Sequence, residues 1–435
     1  MLCPSLKKLF AFLITAIICS ITGCSNSDYV KSTECDESID SESIKIDYLP
    51  LDDSEYPYAG IPRIVIETEN NRQIRDRETE IPAKLQIWGE HSPESEIMEL
   101  TIRGRGNSSW TSMPKKSYKI EFTNKQSIFG MPKDRDWALI ANYADKTLIR
   151  NFIAYNLSAS LEAYYTPRCR FIELYLNKEY IGVYLLTETI KTSTNRINVS
   201  SPNFFLVEID EKYRKDEQIV FSNIISSDPN GKPFRIHQPK NASKDEMSYI
   251  EGHITNFEKF LTTIASNEQN NIEQWIDIDE FVKNYWMQEF TKAPDAFYTS
   301  SFFSLQQNST IKMGPIWDMD LSFGNFHNES LNNHHYWYLR NLDWNKYIFQ
   351  DSLIIKKSND FWKNNRNKFF ISLEIIDSTY ALLHHAARNN FKRWPILQST
   401  ANKYHHRAYK NYEESIEDLK DWISERLNWI DSQIH

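Results

Sequence analysis

Two carboxylates stand one residue apart in the apolar stretch GPIWDMDLSFGN, Gly314 to Asn325. In an extended segment residues i and i+2 project to the same side, so Asp318 and Asp320 would lie charge beside charge. Like charges repel, and burial strengthens the repulsion. Such a pair needs a cation, basic partners or water. Paired carboxylates near phosphates hold a hard divalent cation such as Mg2+ or Mn2+, which takes oxygen ligands. The competing reading has the two acids capping turns or pairing with Arg103 and Arg105.

Three upstream stretches bear on that choice. In LTIRGRGNSSW (100–110) a strand runs into Gly104 and Gly106, with Arg103 and Arg105 alternating. Glycine amides and guanidinium groups together can hold phosphates. The plainer alternative is a surface turn with solvated arginines. In PKKSYKIEF (114–122) Tyr118, Ile120 and Phe122 would share one strand face with Lys116, and Ser117, Lys119 and Glu121 the other. A lysine projecting from a strand after a glycine turn can grip nucleotide phosphates, and the choice between Lys116 and Lys119 stays open. In EFTKAPDAFYTSSFFSL (289–305) Asp295 follows a helix and Pro294 and precedes a β-prone run. That is where a catalytic-loop aspartate would sit; a turn or N-cap aspartate is the alternative. The pairs His334–His335, His384–His385 and His405–His406 point apart within each pair, so they are read as structural or surface residues.

The elements that must position these residues follow from periodicity. IPRIVIETE (61–69), AKLQIWG, EIMELTIRG and KSYKIEF (116–122) read as short strands, giving an antiparallel β-rich N-terminal region. The absence of alternating long helices argues against a doubly wound nucleotide fold. A helix is expected over 145–163, with Asp145 at its start. RFIELYLNKEYIGVYLLTETI (170–190) predicts a hairpin with Asn177 in the turn, and FFLVEID (204–210) another strand. Beyond about residue 240 the spacing turns helical, at 248–265, at 278–293 and in a C-terminal stripe of Ile416, Leu419, Trp422, Ile423, Leu427, Ile430 and Ile434. The expected class is α+β, a β-rich N-lobe over about 56–210 and a mainly helical C-lobe over about 211–435. That order of lobes is also the order of protein kinases.

The 435 residues suffice for one large or two ordinary domains, and 40% apolar residues supply a core. A net charge of −9 without a long basic run argues against a general nucleic-acid binder. Lys7 and Lys8 precede the apolar run LFAFLITAIICSI, which is shorter than a membrane span usually needs. The run closes on ITGC, which resembles a bacterial lipobox. Residues 1–24 are therefore expected to be a lipoprotein signal, with Cys24 lipidated and the chain held in the cell envelope outside the cytoplasm. SNSDYVKSTECDESIDSES (25–43) reads as part of a flexible tether over 25–55. Cys35 and Cys169 imply no disulfide framework.

RGRGNSSW…PKKSYKIEF, FGMPKDRDWALIANYADKTLIRNFIAYNLS, ELYLNKEYIGVYLLTETIK and GPIWDMDLSFGN together resemble the spore coat protein H (CotH) kinase family, over roughly residues 60 to 330. The resemblance implies a diverged two-lobed protein-kinase-like fold and ATP-dependent, Mg2+-dependent phosphorylation of a hydroxyl on an exported protein. By the same resemblance Asp295 would be the catalytic-loop aspartate and Asp318 the metal aspartate, supported by Asp320. Arg103, Gly104, Arg105 and Lys116 or Lys119 would hold phosphates, and Glu188 would lie near the hinge. Two departures stand out. Position 300 is Ser where ordinary kinases carry Asn, and the helix 145–161 has no glutamate to pair with a strand lysine. Two other functions compete. One is an envelope lipoprotein that uses a kinase-like scaffold to bind a partner or glycan. The other is a D-x-D glycosyltransferase, against which the N-terminal β region argues.

Overall fold

Apolar–polar alternation builds seven strands in the N-terminal half: β1 (Arg63–Thr68), β2 (Ile81–Trp88), β3 (Met98–Arg105), β4 (Ser117–Gln126), β5 (Asp134–Ile140), β6 (Cys169–Leu176) and β7 (Glu179–Glu188). The computed structural model describes residues 51–434 except 200–201, 215, 227 and 267–270. The expected signal, Cys24, Cys35 and the segment 25–50 therefore lie outside the described residues.

The seven strands close into a barrel in the order β1-β2-β3-β4-β5-β7-β6. Every seam is antiparallel except β1 with β6. Ile64, Ile102, Ile120, Phe122, Trp137 and Tyr184 are among the side chains that fill the interior. Each fully buried Ile or Phe among them contributes about 1.5–3 kcal/mol. The period of two that turns Ile120 and Phe122 inward leaves the intervening Lys119 and Glu121 on the outer face. The β6–β7 hairpin turns on Asn177 and Lys178, both at positive φ (51° and 71°), as a two-residue type I′ turn requires.

Two helices interrupt the barrel strands, the short α1 (Ser108–Ser112) and α2 (Arg150–Ser160). The second begins at 150 rather than at the expected 145, because Leu148 is left-handed (φ 66°). Asp145 still serves the helix start: its carboxylate accepts from the amides of Thr147 and Arg150, both at 2.9 Å.

A second sheet has the order β12-β11-β8-β10-β9, formed by β8 (Phe204–Ile209), β9 (Ile219–Ser222), β10 (Lys232–Gln238), β11 (Ser301–Gln306) and β12 (Ile311–Met313). The helices of the C-terminal half are α3 (Lys244–Thr263), α4 (Ile278–Thr291), α5 (Glu329–Asn332), α6 (Asp343–Ile348), α7 (Ser352–Arg393) and α8 (Tyr412–Gln433). Ser243 and Glu246 form a capping box at the start of α3, and Asp277 caps α4. The 42 residues of α7 span about 63 Å and bury Ile354, Trp362, Phe369, Ile376 and Leu383 along one stripe. In α8 the expected stripe from Ile416 to Ile430 is buried.

The α+β class with a β-rich N-terminal and a helical C-terminal region is what these elements form. A division into two kinase-like lobes near residue 210 is not evident in them. The N-terminal sheet closes on itself, and β8, before that point, pairs with β10 and β11 after it.

Candidate active site

A cleft of about 810 Å3 opens between the outer wall of the barrel and the second sheet. The barrel contributes Arg103 and Arg105 at the end of β3, Lys119 on β4, Asp136 on β5, and Thr189 to Thr192 after β7. The second sheet contributes Glu208, Asp210, Arg235 and His237. Asp295, Ser300, Trp317, Asp318 and Asp320 come from the segments after α4 and β12.

Local folding fixes the two acidic segments. Helix α4 ends on Lys292, left-handed at φ 48°, and a turn follows. In that turn the Asp295 carbonyl accepts from the amides of Tyr298 (2.9 Å) and Thr299 (3.0 Å). The Thr299 hydroxyl donates to Asp210 at 2.8 Å and ties the turn to β8. The end of α4 is anchored by a fully buried pair, Glu289 with Arg426 of α8 at 2.6 Å. Glu289 also accepts from the amides of Tyr338, Leu339 and Arg340, so neither charge is left unpaired.

The segment 314–325 is not a strand through its acids, as extended geometry would have it: Asp318 is left-handed (φ 61°). Side chains of α2 hold this loop instead. Asn151 accepts from the Met319 amide at 2.7 Å, and Arg150 donates to the Ser322 carbonyl at 3.1 Å. Asn325 donates to the Asp320 carbonyl at 2.7 Å. Both Asp318 and Asp320 still reach the cleft. Arg105 lies over the Trp317 ring, 4.7 Å from its centroid.

The electrostatics are uneven. Burial pushes the Asp295 carboxyl up to about 7; the charges of Asp318 and Asp210 add to this, and Lys212 opposes it. No described residue hydrogen-bonds the Asp295 carboxylate, so it does not cap its own turn. Asp318 opens onto cleft water, but protein encloses its other sides and raises its pKa, while Arg105 and Lys212 pull it down. Asp320 is raised well above the usual carboxylate range by burial and by Asp318, Asp145 and Asp295. Asp136 goes the other way: burial opposes its ionisation, but Lys119 and Lys191 overcome this and bring it to about 2.

Of the residues singled out in the sequence, Arg103, Arg105, Lys119, Asp295, Asp318 and Asp320 line this one cleft. Three others do not. Gly104 sits under Trp110, where a Cβ would meet the indole at 2.5 Å and the Asp76 carbonyl at 2.6 Å; its lack of a side chain serves packing. Lys116 turns away, donating to the Trp110 carbonyl beside that ring. Glu188 is buried between Arg168, at 2.9 Å, and Arg196, and accepts from Tyr165 at 3.1 Å. It braces the end of β7. None of the paired histidines lines the cleft; His405, for example, is buried with its Nε2 2.7 Å from the Tyr143 carbonyl.

Sequence reasoning missed Glu208, Asp210, Lys212, Arg235, His237, Asp136 and Lys191, all of which line the cleft. Glu208 and Asp210 carried the same signal as Asp318 and Asp320, two acids spaced i and i+2, within the strand FFLVEID. His237 and Glu208 approach to 2.6 Å, and Arg235 reaches Glu208 (3.5 Å) and Asp210 (3.6 Å).

Among the described residues no group of three or more His, Cys, Asp or Glu could by itself hold a metal ion. The donor set nonetheless fits a hard cation that shares its ligands with phosphate oxygens, which needs only one or two protein carboxylates. Asp318 and Asp320 are such carboxylates, and the charge of Asp318 raises the cost of ionising Asp320, which a cation would relieve.

The family model described as CotH kinase protein matches residues 102–430. That span takes in every cleft residue described above; Arg77, which also lines the cleft, precedes it. A search of the curated proteins finds no match.

Proposed function

The chain belongs to the CotH kinase family, and from that premise we propose that the cleft binds ATP with a divalent cation and transfers its γ-phosphoryl group to a hydroxyl of an exported protein. One observation carries the reading: Asp295, raised to about 7, shares a cleft with Asp318 and with Arg105 and Lys119. A carboxyl poised near neutral pH suits a general base, and cationic side chains suit a polyphosphate.

In this reading the Asp295 carboxylate orients the acceptor hydroxyl and takes its proton as the hydroxyl oxygen bonds to the γ-phosphorus. The bond from that phosphorus to the β–γ bridging oxygen breaks, and its electron pair leaves with ADP. Arg105 and Lys119 hold the phosphates in line through charge-assisted hydrogen bonds. Asp318, supported by Asp320, would hold the cation. When bound, Mg2+ or Mn2+ would offset charge on the transferring phosphoryl group.

A kinase-like two-lobed ancestry for the fold, an export signal and a lipid anchor at Cys24 belong to the same proposal. They rest on the resemblance and on Lys7, Lys8, the apolar run and ITGC. A second reading, a scaffold that binds nucleotide or a partner without turnover, is favoured by Ser300, which lines the cleft where ordinary kinases carry Asn. Incubation of the purified protein with Mg2+ and γ-labelled ATP, and separately with a UDP-sugar, tests these readings. Label transfer from ATP that Asp295→Asn slows by about 10²-fold supports the kinase. ATP binding without transfer to itself or to any offered exported protein supports the scaffold, and transfer from the UDP-sugar alone refutes both.

A further inference from the structure

One carboxylate in the cleft holds two ammonium groups. Asp136 on β5 lies diagonally across the strand pair from Lys119 on β4, and its Oδ1 is 2.7 Å from the Lys119 Nζ. Its other oxygen, Oδ2, pairs with the Nζ of Lys191, which follows β7. All three side chains line the cleft, and Asp136 is the least exposed at 15%. Each lysine also has a second acid within reach: Glu121, directly opposite Asp136 in the strand pair, lies 3.1 Å from Lys119, and Asp134 lies 3.1 Å from Lys191. Asp134 is itself fixed, accepting from the Ser193 hydroxyl at 3.0 Å. Helix α2, Arg150–Ser160, has no acidic residue that could hold Lys119.

We propose that Asp136 is a positioning residue that gathers Lys119 and Lys191 into one two-ammonium grip for the polyphosphate of a nucleoside triphosphate. The proposal rests on the kinase reading of the cleft. Two ammonium groups repel, and without a shared counter-charge each is left to its own remaining acid, Lys119 to Glu121 and Lys191 to Asp134. Among the described residues Asp136 alone reaches both, so it sets their spacing on the cleft wall.

The sign of one effect separates this arrangement from simple charge balance. If Asp136 only contributed a negative charge near an anion site, deleting that charge would tighten anion binding. If it positions the lysines, deleting it loosens the grip and weakens binding although the site becomes more positive. Calorimetry at fixed ionic strength with Mg2+-ATP and with inorganic tripolyphosphate reads this sign directly. Asp136→Asn should weaken both ligands by about ten-fold, in the range for a lost charge-assisted contact. Asp136→Glu should recover most of that loss, and Lys119→Met and Lys191→Met should each weaken both ligands. Melting temperatures taken in parallel should stay within a few degrees, which a purely structural role would not allow together with the loss in affinity.

Unchanged or tighter tripolyphosphate binding by folded Asp136→Asn overturns the grip while wild-type ATP binding leaves the kinase reading standing. Wild type that binds neither ATP nor tripolyphosphate overturns both. Should Asp136→Asn fail to fold, the lysine variants decide: unchanged affinity in either one overturns the proposal.

Discussion

Replacing Asp295 with Asn should make the protein more stable and far slower at once, and the pH dependence of the stability gain carries its cause. Burial first, and the charge of Asp318 next, move the Asp295 carboxyl from 3.8 to about 7. A rise of that size corresponds to at most ~4 kcal/mol of penalty for ionising Asp295 in the folded protein. Asp295 is partly open to cleft water, which screens the interaction, so about 2 kcal/mol is the working figure. The unfolded chain gives up this proton near pH 4, and the folded chain holds it to about pH 7. Between those values the folded state binds more protons, so wild-type stability falls as pH rises through the window and levels off above it. Asn carries no such proton. The two proteins should therefore melt together near pH 4, and the Asp295→Asn variant should gain steadily until, at pH 8, it melts about 3 °C higher. The assay is thermal unfolding of the apo protein in chelator from pH 4 to 8, because a bound cation would offset Asp318 and lower the Asp295 pKa. In the phosphorylation assay the same variant should lose about 10²-fold in turnover with ATP affinity kept within a few-fold. A melting difference that stays constant from pH 4 to 8, or a wild type that is the more stable at pH 8, refutes the argument from burial and charge.

Three further outcomes are expected. Asp318→Ala should abolish Mg2+-dependent ATP binding in calorimetry without lowering the melting temperature, since it removes an acid that opposes ionisation of Asp295 and Asp320. Gly104→Ala should destabilise the fold by about 1–3 kcal/mol in denaturant titration, because its Cβ would meet Trp110 at 2.5 Å, while ATP affinity stays within a few-fold. Cys24→Ala should release the protein from membranes or block its processing in cell fractionation; retention at wild-type mobility would refute the lipid anchor.

How far the sequence revealed this arrangement depended on whether a signal was local. The period of two in Tyr118, Ile120 and Phe122 and the Asn177 turn are carried by a few adjacent residues, and both strand and hairpin formed where expected. Asp295, Asp318 and Asp320 were legible because carboxylates after a helix, or paired in an apolar stretch, demand a reason. Barrel closure was not legible, since pairing β1 with β6 depends on the shear of the whole sheet. The length of α7 was hidden by Ser358, Ser372 and Thr379, small polar residues that occupy buried positions of its stripe. The choice of Lys119 over Lys116 needed the neighbouring strand: only Lys119 faces Asp136, and Asp136 is remote in sequence from both Lys191 and the acids of the opposite wall. Gly104 misled because a glycine beneath an indole and a glycine beneath a phosphate look alike in a sequence.

The one parallel seam of the barrel has a consequence for how the chain reaches this state. Arg63 pairs opposite Glu173, about 110 positions later, whereas the run from β1 to β5 joins strands that are neighbours in sequence. Local seams can zip as soon as their turns form, but the last one must wait until α2 and the β6–β7 hairpin are in place. The entropy of closing so long a loop is lost before its contacts form, which makes that seam the slow event on the folding path. Until it closes, β1 and β6 each present a bare row of amides and carbonyls to any other strand in solution. Afterwards the barrel has no edge, and among the described residues only the four-residue β9 and the three-residue β12 end a sheet. The risk of strand exchange between chains is thus concentrated in the interval before closure, and the finished molecule carries little of it.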